Sequence, residues 1–456
     1  MKILFIRPRP AAETIGLQHV MIVEPLELEI LAALVPPEAT PVIVDLIIEK
    51  HSLARFLTRE KPDILCLTGY ITNINSMKHA CRQARELNPY IVTIVGGVHC
   101  EVCPEDLEDE AIDYRVVRNA TRTFPLLLEH LAGRAPCPAG VLRRGEKLQP
   151  HLLPEFDFYL PLPARHLTRH YRSRYFYIFH NKVALIKTSF GCPYTCRFCF
   201  CRSITGGHHH YRDMDEVMAE LRTITESEIY IVDDDFLCSS RRVQEFITRC
   251  RKEGIKKHYL LYGRADFIAS NQEIMEDFRN IGLKTVIVGF ESFFDEELEA
   301  YAKHTNAATN VRAMEVLNTL GIDCFATVIL PPHWSHREFS RLKEILLKLD
   351  IHYVNLQPLT PLPGTGFPVQ QEQLVIPRAD YEKWDLAHIT IRPEHMSVAD
   401  FYQSIIDLYV AVLFRSKVLS RYLKQYSPPM LWKMLRGSYL VRRQYLQKKR
   451  EALGRS

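Results

Sequence analysis

The sequence lacks any long apolar run and any segment that resembles a secretory signal. No apolar stretch approaches the roughly 20 residues that a membrane-spanning helix needs, so we expect no transmembrane segment and no membrane partner. The chain starts instead with Lys2 to Ile6, a run that predicts a first strand. Internal repeats and low-complexity tracts are also absent, and 47% hydrophobic residues exclude an intrinsically disordered chain. At about 150 residues per domain, the chain is long enough to form several domains.

Twelve cysteines are spread through the 456 residues. Small secreted proteins that are cross-linked by disulfides have many cysteines in a short chain. This chain is long and its cysteines are dispersed, so it does not fit that class. We therefore expect free thiols in a reducing compartment, the cytoplasm.

The net charge of +4 conceals a strong asymmetry. From Ala411 to Ser456 there are twelve Lys and Arg residues and a single acid, Glu451. The rest of the chain then holds 46 basic and 53 acidic residues, which is a net charge of −7. The carboxyl-terminal segment is therefore the basic part of an otherwise acidic protein.

Residues 1–135 alternate short β-rich runs with helical patterns, which predicts a Rossmann-like, doubly wound parallel sheet. Ligands of such a sheet bind beyond the carboxyl ends of its strands. Two of these ends are followed by Thr68, Gly69 and Tyr70, and by Gly96, Gly97, Val98 and His99. The predicted strands are Lys2 to Ile6, Val42 to Ile47, Asp63 to Leu67 and Ile91 to Val95.

A second alternating series covers residues 182–375 and predicts a partial (βα)6 barrel, whose chemistry would lie at the carboxyl ends of its strands. Residues 136–181 are interrupted by prolines and are expected to link the two domains. Residues 376–456 are expected to be helical. The predicted barrel strands are Val183 to Ser189, Ile229 to Val232, Tyr259 to Tyr262, Thr285 to Phe290, Cys324 to Leu330 and Tyr353 to Gln357.

Directly after the first predicted barrel strand, Cys192, Cys196 and Cys199 are separated by three and two residues. Three thiolates at this spacing can bind one polynuclear iron site and leave one iron without a protein ligand. One alternative is a zinc site completed by His208 to His210, and another is a cysteine-rich loop without metal. We favour iron and sulfur because structural zinc prefers four ligands, usually supplied as two pairs.

This stretch resembles the cluster loop of radical S-adenosylmethionine (SAM) enzymes, which follows the first strand of a partial barrel. The resemblance implies that Cys192, Cys196 and Cys199 bind a 4Fe–4S cluster and that Phe198 flanks the cofactor. Cys201 lies outside the motif and is expected to have no role in the cluster.

Four further motifs are similar to those of the family branch that carries an N-terminal cobalamin domain. The similarity implies that Asp234, Arg264, Glu291 and Ser292 contact SAM. Each has a structural alternative, because a carboxylate can also cap a helix or pair with a neighbouring cation. The four motifs are Val232 to Phe236, Arg264 to Asp266, Gly289 to Ser292 and Thr360 to Thr365.

Residues 1–135 resemble the cobalamin domain of that branch. The resemblance implies that the residues after the two strand ends, from Thr68 to Tyr70 and from Gly96 to His99, line the corrin site. Tyr70 is expected to face the corrin and to take part in catalysis. The Asp-x-His-x-x-Gly signature that supplies a histidine to cobalt is absent, so we expect no histidine on its lower face, with His19 as the weak alternative. Arg118 to Arg122 replaces the Gly-Glu-Gly-Glu turn of many relatives.

The resemblance implies a cobalamin-dependent radical SAM C-methyltransferase that moves the methyl group of methylcobalamin to an unactivated carbon. Its cofactors would be a 4Fe–4S cluster, SAM and cobalamin, with an external electron donor such as flavodoxin or ferredoxin. One alternative is a cobalamin-dependent radical SAM cyclase or rearrangement enzyme that acts on a small molecule. The other is an iron–sulfur electron-transfer or cofactor-carrier protein.

The size of the chain resembles that of members that methylate a protein side chain, such as the glutamine C-methyltransferase type that acts on methyl-coenzyme M reductase. Aromatic residues such as Trp432 and Tyr439 lie among the Lys and Arg residues of the basic segment. A docking surface for an acidic protein is the preferred interpretation, and a solvated helix or phosphate contacts to nucleic acid are alternatives. We therefore expect a protein or peptide substrate and no nucleic-acid partner.

Overall fold

The computed structural model describes residues 1–15 and 19–454 as two α/β units, a segment that connects them, and three carboxyl-terminal helices. Arg455, one of the twelve basic residues counted above, lies outside the described residues. All twelve cysteines are described and are free thiols, as expected. No helix within the described residues is both long enough and apolar enough to cross a membrane.

The first unit is a six-stranded sheet in the order β3-β1-β4-β5-β6-β7, parallel except for the antiparallel β7. Side chains from Ile3 to Ile6 on the central strand β1 are fully buried, because helices cover both faces of the sheet. The strands are β1 (Lys2–Arg7), β3 (Thr40–Asp45), β4 (Ile64–Thr68), β5 (Val92–Gly96), β6 (Tyr114–Val116) and β7 (Val141–Arg143). The helices are α1 (Leu26–Ala32), α2 (Leu53–Glu60), α3 (Ile74–Leu87), α4 (Val98–Val102) and α5 (Ala120–Leu131).

The four strands predicted for this unit correspond to β1, β3, β4 and β5, which confirms the doubly wound sheet. The prediction missed β6 and β7, since three residues are too few for a clear alternating pattern. Because β7 falls in the predicted linker, the first sheet continues beyond residue 135. The rest of the connecting segment includes a 3-10 helix, Arg165–Arg174, and a small sheet of β2 (Met21–Ile22), β8 (Phe176–Tyr177) and β9 (His180–Asn181).

The second unit is an open, all-parallel sheet in which the six strands pair in chain order, as a partial (βα)6 barrel requires. All six predicted strands are present, so this part of the fold prediction is confirmed. The barrel strands are β10 (Ala184–Ile186), β13 (Glu228–Ile231), β14 (His258–Gly263), β15 (Leu283–Glu291), β16 (Asp323–Leu330) and β17 (Tyr353–Pro358), and a short ribbon pairs β11 (Ser189–Phe190) with β12 (His210–Tyr211). The helices are α6 (Cys201–Thr205), α7 (Met214–Thr223), α8 (Ser240–Lys252), α9 (Ala265–Ser270), α10 (Gln272–Asn280), α11 (Asp295–Ala300), α12 (Ala307–Leu320) and α13 (His336–Lys348).

The carboxyl-terminal region is helical from Val398 onward, in α14 (Val398–Leu413), α15 (Ser416–Gln425) and α16 (Pro428–Ala452). The expectation that helices begin near Ile376 is wrong, because up to Ser397 the chain forms only one short 3-10 turn. Prolines interrupt this stretch, and buried Trp384 packs it against the core of the first unit. Residues 376 to 397 therefore connect the barrel back to the first unit.

Candidate active site

The three motif cysteines lie on the loop between β11 and α6, at the carboxyl end of the first barrel strand. The Cys199 amide donates to the Cys196 carbonyl at 3.2 Å, which curls the loop, and each of the three thiols is half-buried. Burial, followed by the charges of Asp235 and of the other two cysteines, raises the pKa of Cys192 to about 12. No three His, Cys, Asp or Glu side chains of the described residues close on a single metal ion. A 4Fe–4S cluster does not require this, because each of its thiolates binds a different iron.

Two consecutive carboxylates after β13 hold the start of the cysteine loop. Asp233 accepts hydrogen bonds from the Thr188 amide and hydroxyl, both at 2.6 Å, and from the Ser189 hydroxyl at 2.7 Å. Asp234 accepts from the Gly191 amide at 2.8 Å and lies 3.6 Å from Lys187 Nζ. Asp234 was predicted to contact SAM, but in this structure both carboxylates shape the loop.

The third carboxylate of this run, Asp235, has no such partner. Its side chain is 2% exposed, and within the described residues neither carboxylate oxygen accepts a hydrogen bond. Burial raises the pKa of Asp235 to about 7, opposed by the charges of Arg264 and Lys303. A buried carboxylate without a partner is costly, so this arrangement suits a ligand that brings a positive charge. Asp235 lies within the predicted motif Val232 to Phe236 but was not among the predicted site residues.

Arg264, predicted to contact the cofactor, connects several parts of the site. It follows β14, donates to the Asp266 carboxylate at 3.0 Å and to the Lys303 carbonyl at 2.7 Å. Its guanidinium stacks over the Tyr194 ring at 3.6 Å, and Nη1 lies 3.9 Å from Cys196 Sγ. Arg264 therefore joins the cysteine loop to the end of β14 and to the segment that follows α11.

Glu291 closes β15 with a backbone φ of +63°, a conformation that is uncommon outside glycine. Its carboxylate accepts from Lys303 Nζ at 3.1 Å, and both side chains are buried. A side chain on Gly289 would collide with the Glu291 carboxylate, so this glycine makes room for the pair. Non-glycine residues held in this region cluster at functional sites, which supports the prediction that Glu291 lies in the cofactor site. Lys303 was not predicted.

The ring of Phe198 packs edge-on against Tyr301 at 5.8 Å, and the Lys303 ammonium lies 5.7 Å from the Phe198 centroid. The amide of Gly366, just past the predicted motif after β17, donates to the Arg197 carbonyl at 2.7 Å. The last barrel strand therefore also supports the cysteine loop.

Tyr70 marks the space between the two units. Its side chain is 62% exposed, yet the surrounding protein raises its pKa through burial and through nearby Glu27, Tyr262 and Asp234. Glu27 belongs to the first unit, whereas Tyr262 and Asp234 belong to the barrel. Tyr70 therefore lies on the side of the first unit that faces the barrel, which is where the corrin ring of cobalamin would lie.

The residues predicted for the corrin site gather where β4 and β5 end side by side, with Thr68 paired to Gly96. Gly97 has a φ of +100°, and a Cβ atom there would lie 2.6 Å from Thr68 Oγ1. This close approach suits a backbone that must leave a cradle for a large ligand.

Two side chains predicted to line the cofactor sites, those of His99 and Ser292, are paired with neighbouring protein groups. Buried His99 lies 2.9 Å through Nε2 from the Asp106 carboxylate, and the Ser292 hydroxyl donates to Glu297 at 2.5 Å. The His19 backbone lies beside α16, and burial together with the charge of Arg436 lowers the pKa of its side chain. The His99 and Ser292 side chains therefore have structural contacts in this structure.

The fold and these residues agree with the comparisons to known proteins. The Radical SAM superfamily matches residues 186–346, and the B12 binding domain matches residues 14–128. A hopanoid C-3 methylase from Methylococcus capsulatus is 28% identical over 416 residues, which cover 89% of this chain and 79% of the relative. The solved structure of the radical SAM methyltransferase TsrM from Kitasatospora setae, with cobalamin and a [4Fe-4S] cluster, has a TM-score of 0.66 and 14% identity, covering 98% of this chain and 99% of that one. The cobalamin-dependent radical SAM enzyme OxsB has a TM-score of 0.68 and 13% identity, covering 98% and 72%.

The chain belongs to the radical SAM enzymes that also carry a cobalamin-binding domain. Within this class it is a radical SAM methyltransferase. The predicted architecture and the predicted cofactors, a 4Fe–4S cluster, SAM and cobalamin, are thereby confirmed.

Proposed function

We propose that this enzyme transfers a methyl group to an unactivated carbon of an apolar small molecule. The observation that carries the proposal is that the first unit meets the barrel beside the cysteine loop, where Arg118 donates to the Ile204 carbonyl of α6 at 2.5 Å. Exposed Tyr70 follows β4 at the same edge of the first unit. The substrate class is supported by the hopanoid C-3 methylase relative, because hopanoids are polycyclic hydrocarbons and the alignment spans 89% of this chain. The substrate would lie between the cysteine loop and the cobalamin domain.

When bound, the cofactors supply the deoxyadenosyl radical and the transferable methyl group, and the chain supplies their positions. Cys192, Cys196 and Cys199 would hold the cluster. Asp235 would accept the positive charge of SAM, and Arg264 and Glu291 would fix its other polar groups. Tyr70 would close the corrin side of the space and exclude water from it.

A protein side chain is the second candidate substrate, for example a glutamine of a protein such as methyl-coenzyme M reductase. It is favoured by the four exposed arginines of α16, Arg436, Arg442, Arg443 and Arg450, which would suit an acidic protein.

The product mass distinguishes these candidates. The anaerobically reconstituted enzyme is incubated with a reductant, SAM and either a hopanoid precursor or a candidate protein. We expect a gain of one methylene group on the small molecule, with release of both deoxyadenosine and S-adenosylhomocysteine. A redox change without added carbon would identify a cyclase instead, and a methylated protein side chain would identify the second candidate.

Replacing Asp235 with asparagine is expected to weaken SAM binding about tenfold or more, because the variant loses a charge-assisted contact to a cationic ligand. The iron content is expected to stay unchanged, because Asp235 makes no hydrogen bond to the cysteine loop. Equilibrium binding of SAM to the reconstituted variant measures the effect. Asp234→Ala is the comparison and is expected to lose iron, because it removes the carboxylate that accepts the hydrogen bond of the Gly191 amide. Unchanged SAM affinity in Asp235→Asn would contradict the assignment.

Gly97→Ala is expected to lower the amount of cobalamin that the enzyme retains, because the new Cβ meets Thr68 and the φ of +100° disfavours alanine. Cobalamin absorbance after gel filtration measures retention, and the iron content is expected to remain normal. Gly145→Ala is the matched control, since Gly145 also has a positive φ of +75° but nothing lies within 4 Å of an added Cβ. Equal cobalamin retention in the two variants would contradict a role for Gly97 in the cradle.

A further inference from the structure

The last helix, α16, has an inner face that fixes it to the rest of the protein. Met430, Gly437 and Tyr445 are buried, and a Cβ at Gly437 would lie 2.7 Å from the His19 carbonyl oxygen. Tyr445 packs between Tyr402 and Tyr409 of α14. Lys433 also points inward, with Nζ 3.1 Å from the Phe176 ring centroid. The opposite face of the helix therefore has a fixed orientation.

That outer face combines large apolar side chains with arginines. Trp432, Leu435 and Tyr439 are 62%, 54% and 62% exposed. Residues that are three, four, seven, eleven or eighteen positions apart lie on the same side of an α-helix. Counted from Trp432, the residues of α16 at these positions are Leu435, Arg436, Tyr439, Arg443 and Arg450. Exposed Arg442 borders this side.

The charge of this face is uncompensated. Among the described residues, the side chains of the four exposed arginines form no ion pair. The only acid of α16 is Glu451, which pairs with Lys448 at 3.0 Å. The preceding helix α15 adds exposed Leu423 beside exposed Lys424.

We propose that α16 docks the enzyme on the surface of an anionic lipid bilayer. Trp and Tyr favour the headgroup region of a membrane, and leucine can enter the adjoining acyl layer. Arginines on the same side of the helix would contact the anionic headgroups. The 25 residues of α16 extend about 37 Å. Because Tyr445 keeps the inner face of the helix packed on α14, the helix would lie along the bilayer surface rather than cross it.

A second copy of the chain is a poor occupant of this face. In a symmetric dimer the same patch meets itself, and this patch offers no carboxylate to neutralise the arginines of its partner. An acidic protein matches the charge, but the stripe of Trp432, Leu435 and Tyr439 is convex and would need a complementary groove. A lipid surface matches both the charge and the exposed apolar side chains. The expectation of no membrane partner rested on the absence of spanning segments, which this proposal does not require.

Trp432 reports directly on this contact, because the other two tryptophans, Trp334 and Trp384, are 0% and 1% exposed. The holoenzyme is mixed with phosphatidylcholine vesicles, with or without phosphatidylglycerol, and also with brominated lipids. We expect flotation with the anionic vesicles, a blue shift of Trp432 fluorescence and its quenching by bromine. Binding is expected to weaken as salt is added. No flotation with anionic vesicles would overturn the proposal.

Variants distinguish the proposed face from general adhesion. The triple variant Trp432→Ser, Leu435→Ser, Tyr439→Ser is expected to reduce vesicle partitioning on the order of tenfold or more. Arg443→Gln is expected to reduce it about fivefold. The matched control is Leu87→Ser, Tyr90→Ser, which removes exposed apolar side chains from the first unit and is expected to bind normally.

Circular dichroism checks that each variant is folded. Equal losses in the triple variant and the control would overturn the proposal. Binding to an acidic protein without binding to vesicles would also overturn it and would favour a protein partner. The result is independent of methyl transfer, because vesicle binding is measured without SAM or substrate.

Discussion

Replacing Cys196 with alanine is expected to abolish the reductive cleavage of SAM. Cys196 lies in the middle of the curled loop, with its carbonyl bonded to the Cys199 amide and its sulfur 3.9 Å from Arg264 Nη1. The start of this loop is held by Asp233 and Asp234. Because the cluster supplies the electron that cleaves SAM, loss of one ligand is expected to remove both deoxyadenosine formation and methyl transfer.

Cys201→Ala is the matched control for this prediction. Cys201 begins α6, lies outside the motif and has its sulfur 3.6 Å from Asp234 Oδ1. We expect Cys201→Ala to keep its iron and to cleave SAM, whereas Cys196→Ala loses both properties. Iron and sulfide analysis, the visible absorbance of the cluster and chromatography of deoxyadenosine measure the difference. If Cys201→Ala lost the cluster and Cys196→Ala kept it, the ligand assignment would be wrong.

The cysteine motif could be predicted from the sequence because its ligands must lie close together in the chain. The three cysteines lie within eight residues, so their loop needed no knowledge of distant contacts. The barrel strands were found for a related reason, because each is a buried apolar run bounded by helical patterns. Strands β6 and β7 were missed because their three residues carry no comparable pattern.

The choice among Asp233, Asp234 and Asp235 could not be made from the sequence. All three carboxylates follow the same strand, and their difference arises from partners 43 to 47 residues earlier in the chain. Asp233 and Asp234 bind the start of the cysteine loop, which leaves Asp235 without a partner. Lys303 was missed for the same reason, because its pairing with Glu291 depends on the positive φ of Glu291 and the space at Gly289.

The basic carboxyl-terminal segment was predicted to be a docking surface, but its composition could not assign the side chains that form that surface. Its charge count does not show that Lys433 points inward while the arginines at 436, 443 and 450 point outward. The structure makes this difference clear, because Gly437 and Tyr445 pack the opposite face of α16 against the rest of the protein. For that reason deletion of the segment would also uncover the core around Tyr445, and surface substitutions are the cleaner experiment.

The two units are held together by a buried cluster of ion pairs that involves distant parts of the sequence. Arg165, on the connecting 3-10 helix, donates to Glu24 of the first unit at 2.5 Å and to Glu220 of α7 at 2.6 Å. It also donates to the Leu185 carbonyl of β10 at 2.6 Å. Arg172 pairs with Glu24 as well, and buried Glu29 lies beside both arginines. The geometry fixes the space between the cobalamin domain and the barrel.

Arg165→Met is expected to destabilise the folded protein by about 3–5 kcal/mol, because the buried carboxylates of Glu24 and Glu220 lose a shared counter-charge. Chemical denaturation measures the loss of stability, and trypsin digestion shows whether the connecting segment becomes accessible. Arg169→Met is the matched control, since Arg169 is exposed on the same 3-10 helix and is expected to change stability by less than about 0.5 kcal/mol. Equal stability of the two variants would contradict a role for the cluster.

The sign of the pH dependence gives a second test of this cluster. Burial and the charge of Glu24 already raise the pKa of Glu29 to about 8, so the folded state binds a proton more tightly than the unfolded chain. Such a group supports the fold at low pH, and its contribution is lost as the pH rises from the ordinary glutamate pKa toward about 8. Removing Arg165 raises the pKa of Glu29 further, because a positive charge that favours its ionised form is gone. We therefore expect the stability difference between Arg165→Met and the parent to be small near pH 5 and to increase toward pH 8. A difference that decreases over this range would show that the carboxylates do not depend on Arg165.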